Sequence, residues 1–263
     1  MDLHLKDKVV AVTGGTAGLG KAIALEFAKE GCKLAICSRT SERLDAACAE
    51  LEKAGCDFYS QLVDVSDVSA IASFIKNVSG HFGHIDIWVN NAATNLSKHM
   101  VEITPDEWDH VFDTNLKGYF FGAQLAIKDM IEKSVKGVIV NVSSYASTLP
   151  VLTQSLYAAS KIAINSLTRS FAADSACHGI RVVAVTPGWI KTERAYQSLQ
   201  ETKADMKLIL SEISQQRMGE PEEIARPIVF LASDASSYIT GTCLEISGGK
   251  FTVQRPWDGW PEK

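Results

Sequence analysis

Tyr157 and Lys161 stand four apart in Leu156-Tyr157-Ala158-Ala159-Ser160-Lys161, the spacing that puts two side chains on one face of a helix, a turn from each other. Their types suit proton transfer. A phenol titrates near pH 10, and a neighbouring ammonium together with a second hydrogen bond brings it toward neutrality by favouring the phenolate. Ser144 closes the apolar run that begins Gly137-Val138-Ile139-Val140-Asn141-Val142 and falls at the end of an expected strand. There its hydroxyl supplies the second bond or binds the substrate oxygen. A Tyr and a Lys four apart also arise as an ordinary packing pair, so the motif gains weight from its company. That company is Thr13-Gly14-Gly15-Thr16-Ala17-Gly18-Leu19-Gly20, a glycine turn after the first apolar run. Glycines at 14, 18 and 20 let the backbone turn tightly, approach a pyrophosphate and pack a helix on a strand, while the helix N-terminus faces the anion.

The elements that must position these groups follow one rhythm. Short apolar runs, many of them β-branched, predict buried parallel strands over 9–13, 33–38, 58–63, 85–90, 138–142, 180–186 and 242–246. Between them lie amphipathic helix-length segments over 19–29, 42–54, 68–81, 107–133 and 154–177, with Thr104-Pro105-Asp106-Glu107 as a helix start. Strand and helix alternate throughout. The pattern predicts an α/β fold, a single-domain doubly wound parallel sheet with helices on both faces and its ligand crevice beyond the carboxyl ends of the strands.

Composition narrows the classes. At 263 residues, 46% hydrophobic and 22% charged, the chain suffices for one large domain over 1–263 with a full core, and no linker divides it. A net charge of −5, with the basic residues scattered, excludes a nucleic-acid footprint. No run of eighteen apolar residues suggests a membrane span, and the start MDLHLKDKVV has no leader pattern, so a cytoplasmic protein is expected. Six cysteines without a C-x-x-C pair read as reduced packing residues. His81 and His84 lack a third ligand nearby and read as a helix terminus, so no metal site is expected.

Taken together, TGGTAGLG, Asn90-Asn91-Ala92-Ala93 after the fourth strand, Asn115, Ser144, Tyr157-x-x-x-Lys161 and Pro187-Gly188 resemble the short-chain dehydrogenase/reductase family over nearly the whole chain. The resemblance implies a Rossmann-like enzyme whose catalytic group is Asn115, Ser144, Tyr157 and Lys161. In it Tyr157 is the acid/base and Lys161 also holds the nicotinamide ribose. Asn115 anchors a water for proton relay, with a helix kink or a packing amide as its alternative. Ala93 replaces a common family glycine, which implies a slightly altered loop. The implied cofactor contacts are Gly14, Thr16, Gly18, Leu19, Gly20, Ser38, Arg39, Asp64, Val65, Asn91, Ala92, Tyr157, Lys161, Pro187, Gly188, Ile190 and Thr192. Within these, Asp64-Val65 resembles the adenine contact and Thr192 the carboxamide contact.

The second strand ends Ile36-Cys37-Ser38-Arg39, without the acid that would bond a ribose 2′-hydroxyl. Arg39, with Arg43 one turn on, favours a 2′-phosphate, so NADP(H) is expected before NAD(H). The expected activity is hydride transfer between NADP(H) and a carbonyl or secondary alcohol. An NAD-dependent sugar or polyol dehydrogenase is the alternative, and a non-catalytic dinucleotide-binding redox sensor ranks below both. Expected pocket walls are Thr94, Asn95, 145–154 and a lid over 189–214, where Lys191, Arg194 or Lys203 is free to turn inward. The tail 250–263, with Trp257 and Trp260, is expected to pack on the lid or a neighbouring subunit. Surplus apolar residues on the two long helices, Phe112, Leu116, Tyr119, Phe120, Leu156 and Phe171, call for a partner, and the resemblance implies a homotetramer.

Overall fold

The structure is a computed structural model that describes residues 2–149, 151–202 and 205–252. Lys203 and both tail tryptophans lie outside the described residues. The seven strands, β1 (Val9–Thr13), β2 (Lys33–Ser38), β3 (Phe58–Leu62), β4 (Ile87–Asn90), β5 (Val138–Val142), β6 (Arg181–Pro187) and β7 (Cys243–Ile246), form one sheet in the order β3-β2-β1-β4-β5-β6-β7. All its pairings are parallel. The order reverses between β1 and β4, and a crevice opens at that point because the chain leaves the two strands in opposite directions.

Side chains alternate across the sheet with the period of two that a pleat imposes. Val10, Val12, Leu34, Ile36, Val138 and Val140 face a core closed by α1 (Gly18–Lys29), α2 (Ser41–Lys53) and α9 (Pro221–Ala232). Val9, Ala11, Ala35, Trp88 and Ile139 face the opposite core, closed by α3 (Val68–Phe82), α5 (Gly118–Glu132) and α6 (Ser155–Ser175). Burial on both faces is why β1, β2 and β5 read as nearly unbroken apolar runs, whereas the edge strands β3 and β7, expected to be buried, are partly exposed and carry Ser60, Gln61 and Glu245.

The long helix expected over 107–133 is broken. It consists of α4 (Pro105–Phe112), a π-helical turn over Asp113–Lys117, and α5. The start is as expected: Glu107 N donates to Thr104 Oγ1 at 3.3 Å and Thr104 N to Glu107 Oε2 at 2.8 Å, a capping box. The break follows from what comes next. A Cβ at Gly118 would lie 2.6 Å from the Val65 carbonyl oxygen, so α5 sits hard against the loop after β3 while α4 packs against α6. A π turn absorbs the change of direction.

Other expectations shift. Tyr119 and Leu156 are buried within the protein and supply no surplus apolar face. Phe171 packs on Phe120 at 5.1 Å between ring centroids. Cys177 is exposed at the end of α6 rather than packed, whereas Cys32 and Cys37 are buried thiols pushed up to about 12 by burial. His81 lies in the last turn of α3 and His84 Nε2 pairs with Asp86 Oδ2 at 3.0 Å. Among the described residues no cluster of His, Cys, Asp and Glu is arranged to hold a metal, and no helix is long and apolar enough to cross a membrane.

Candidate active site

The glycine turn between β1 and α1 is locked from the neighbouring strand. Thr13 Oγ1 donates to Val89 O at 3.2 Å and accepts from the amides of Asn91 (2.9 Å) and Ala92 (3.1 Å). Asn91 Nδ2 donates back to the carbonyls of Thr13 (3.0 Å) and Gly14 (3.2 Å). Gly14 takes a φ of 63°, and a Cβ on Gly20 would stand 2.1 Å from the Gly14 oxygen. No larger residue fits either place.

Beside this turn lies a cavity of about 440 Å³. Gly14, Thr16, Gly18, Leu19, Gly20, Ser38, Arg39, Val65, Asn91, Ala92 and Thr192 line it as expected. Asp64, Tyr157, Lys161, Pro187, Gly188 and Ile190 are not among its walls. Asp64 instead accepts from Ser66 N at 2.9 Å and Ser66 Oγ at 2.7 Å. Burial pushes its carboxyl up, but those bonds and the charges of Arg39 and His110 leave it below the usual carboxylate range. Ile190 is a core side chain, and a Cβ on Gly188 would meet Ser247 Cα at 2.8 Å. The walls also include Arg43, Thr114, Glu193, Arg194 and Gln197. The donors fit a dinucleotide: amides at the start of α1, exposed Arg39 just after β2 and Arg43 in the first turn of α2, and a buried Thr114 hydroxyl that no group among the described residues satisfies.

The expected catalytic residues converge on α6 and the end of β5. Ser144, buried, caps a 3-10 turn over Tyr145–Ser147, its Oγ accepting from Ala146 N at 3.2 Å. Ser147 Oγ donates to Ser144 O (2.6 Å) and accepts from Asn165 Nδ2 (2.9 Å), which fastens this loop to α6. Tyr157 is half-buried. Burial holds its phenol above the ordinary tyrosine value, while a hydrogen bond with Ser144 and the charge of Arg194 pull the other way.

Lys161 is enclosed one turn along α6 from Tyr157. It is 1% exposed, and its Nζ donates to Val142 O at 2.8 Å and Tyr119 Oη at 3.3 Å, 5.6 Å from the Tyr157 ring centroid. Burial, with no carboxylate paired to it among the described residues, brings its pKa down to about 7. Asn115, within the π turn, accepts from Thr94 N (2.8 Å) and donates to Thr94 O (2.9 Å) and Ser160 Oγ (3.2 Å). Its side chain is thus a positioning amide that holds the loop after β4 against α6. Sequence reasoning missed the polar chain behind it, in which Trp88 Nε1 donates to Asn90 Oδ1 (2.7 Å), Asn90 Nδ2 to Asn141 Oδ1 (2.9 Å) and Asn141 Nδ2 to Thr168 Oγ1 (3.0 Å). The available signal was an asparagine inside each of two apolar strands, at paired positions of β4 and β5.

Of the three cations expected near the pocket, Lys191 pairs with Glu220 at 2.5 Å, away from the cavity. Of the two that are described, Arg194 is the one that lines it. α7 (Glu193–Thr202) carries this residue across the cleft, where its Nη2 donates to Asn95 O at 2.9 Å. Trp189 packs with Leu199, Ile209 and Ile213 of the same segment and stands 6.0 Å from the Tyr145 ring.

Sheet order, glycine turn and the Ser144, Tyr157 and Lys161 group define the class as a doubly wound α/β oxidoreductase with its crevice at the topological switch point. The family model described as Enoyl-(Acyl carrier protein) reductase matches residues 14–250. A 3-oxoacyl-(acyl-carrier-protein) reductase of Thermotoga maritima is 38% identical over 250 residues, 94% of this chain and 99% of that one. A 3alpha-hydroxysteroid dehydrogenase of Mediterraneibacter gnavus is 36% identical over 250 residues, 94% and 98%. The crystal structure of a short-chain type dehydrogenase/reductase from Mycobacterium marinum superposes with a TM-score of 0.89 at 32% identity, covering 95% of this chain and 97% of that one. The chain belongs to the short-chain dehydrogenase/reductase family.

Proposed function

We propose that this oxidoreductase is an NADP(H)-dependent carbonyl reductase or alcohol dehydrogenase in which Tyr157 is the proton carrier. The observation that carries the reading is Tyr157 interacting with Ser144 and with Arg194, a wall residue of the glycine-turn cavity, where Ser38 and Arg39 stand at the end of β2 in place of an acid and Arg43 follows in α2. The related reductase and hydroxysteroid dehydrogenase are named for carbonyl and alcohol groups in very different molecules, which supports the reaction class and leaves the substrate open.

When bound, the nicotinamide dinucleotide supplies or accepts the hydride at the substrate carbon. The protein's own part is the proton. Tyr157 gives it to, or takes it from, the substrate oxygen, and Ser144 holds that oxygen or the phenol. Lys161, with a pKa of about 7, exchanges protons at working pH and is fixed by Val142 O and Tyr119. Asn115 and Ser160 set the distance between the Thr94 loop and α6.

Ser38 is too short and neutral to bond a ribose as a carboxylate does, whereas an arginine fork on a phosphate gives about ten- to hundredfold preference for NADP(H). The NAD-dependent polyol reading ranks below for that reason. Screening ketones and polyols with both dinucleotides, followed by nicotinamide absorbance and by dissociation constants, tests the proposal. Equal affinity for NAD(H) and NADP(H) would overturn the cofactor assignment, and no turnover across the panel would overturn the enzyme.

A further inference from the structure

We infer that Arg194 sets the substrate class: α7 carries it as an anion-receiving arm, and the preferred substrates are carbonyl or hydroxyl compounds bearing a carboxylate near the reacting carbon. The inference rests on the carbonyl-reductase reading of the Tyr157 site and narrows it.

A census of cations around the cleft leads there. Lys191 is paired with Glu220, and Lys250 is paired with Glu212 at 2.5 Å while its ammonium stands 5.1 Å from the Tyr145 ring centroid. Lys161 is buried on the Val142 carbonyl. Arg39 and Arg43 stand at the β2 end of the cavity. Arg194 alone among these lines the cavity while acting electrostatically on Tyr157, the group that must face the substrate oxygen. Among the described residues no carboxylate pairs with it, and its one hydrogen bond to protein, from Nη2 to Asn95 O, leaves the rest of the guanidinium fork open. An exposed guanidinium with free donors on the cavity wall, near enough for its charge to act on Tyr157, is what a carboxylate needs for a charge-assisted, two-point contact. Adjacent Glu193 also lines the cavity, its Oε1 accepting from Gln197 Nε2 at 3.4 Å, so the guanidinium must outcompete one neighbouring carboxylate for the substrate's charge. In the reductive direction the substrate carbonyl carbon takes a hydride from the reduced nicotinamide dinucleotide, which is oxidised, and the oxygen takes the Tyr157 proton. The carboxylate is unchanged.

The same guanidinium chemistry would also suit the dinucleotide's pyrophosphate, because Thr192 lies close to the glycine turn: a Cβ on Gly18 would meet Thr192 Cγ2 at 3.5 Å. The test separates the two sources. Acetoacetate and 4-oxopentanoate are compared with their methyl esters, by calorimetric binding to the protein saturated with oxidised dinucleotide and by turnover with the reduced form. The wild type should favour the acids about ten- to hundredfold, with Arg194→Gln bringing the ratio close to one and Arg194→Lys keeping part of it. Dinucleotide affinity measured without substrate is the separate readout of a pyrophosphate contact. Loss of dinucleotide affinity in Arg194→Gln with the acid preference intact would assign the arm to the pyrophosphate and overturn the inference. Equal binding of acids and esters by the wild type would overturn it too, while turnover of either leaves the reductase reading standing. Charge-selective, Arg194-dependent binding without any turnover would keep the inference and remove the reductase reading.

Discussion

Lys161 is the residue whose environment says most about the site. A lysine with no carboxylate partner among the described residues, held among Val142 O, Tyr119 and the Tyr157 ring, has its charged form penalised by burial. Unfolded, it titrates at the ordinary lysine value; folded, at about 7. Between those values the unfolded chain binds a proton that the folded chain does not, so stability rises with pH across that window and falls as pH drops toward 7. The whole window is worth on the order of 5 kcal/mol. Urea midpoints of the ligand-free protein from pH 7 to 10 should climb, and the Lys161→Met variant should lose much of that slope. An identical slope in the variant would mean that other groups cause it. Tyr157→Phe is the companion test: it keeps the ring and removes the hydroxyl, so turnover should fall by at least about a hundredfold with dinucleotide affinity nearly unchanged. Turnover within about tenfold of wild type would remove Tyr157 from the chemistry.

At the scale of elements, close approach matters more than propensity. Gly20 in α1 has no room for a Cβ, because the Gly14 carbonyl and Asn91 Nδ2 stand at 2.1 and 2.4 Å from where it would be. Gly80 in α3 would meet nothing within 4 Å. The same substitution should therefore have opposite signs. Gly20→Ala should destabilise by roughly 1–3 kcal/mol through overpacking and weaken dinucleotide binding. Gly80→Ala should stabilise by about 0.5–1 kcal/mol, since alanine restricts the unfolded chain and suits a helix better. Urea denaturation of the two variants checks both, and a stable, tight-binding Gly20→Ala protein would contradict the account of the turn. The break between α4 and α5 obeys the same logic, since Gly118 against Val65 and the Asn115 amide against Thr94 set two directions for one run of helical sequence.

For the whole molecule, the unfinished business is an apolar groove. Phe112, Leu116, Phe120, Phe121 and Leu167 line a hollow of about 570 Å³ between α5 and α6, and Trp108, stacked on Phe112 at 4.4 Å, is exposed nearby. Helix faces this apolar gain by being covered. We expect a homotetramer that covers them with the same faces of neighbouring copies. Sedimentation at micromolar concentration should show it, and Leu167→Asp should shift the protein to smaller species with an unchanged circular dichroism spectrum. A monomeric wild type would end the expectation.

The sequence by itself determined the sheet. Apolar β-branched runs such as 9–13, 33–38 and 138–142 are local signals, because a strand buried on both faces must be apolar throughout, and glycines 14, 18 and 20 mark their own turn. The set Ser144, Tyr157 and Lys161 was legible for the same reason: one helical turn and one strand end fix it locally. Tertiary structure alone decided where the charges act. Whether residue 161 is an ammonium depends on Val142 and Tyr119 enclosing it, and whether position 194 or 191 faces the cavity depends on Glu220 capturing Lys191 from another element. Three helices also escaped the sequence reading. α7 and α8 (Met206–Ser211) are short, and α9 carries Pro227 in its interior, so packing on α1 rather than periodicity holds α9. Burial, charge state and the break at Asn115 arise from groups distant in the chain meeting in space, and no spacing in the sequence records that meeting.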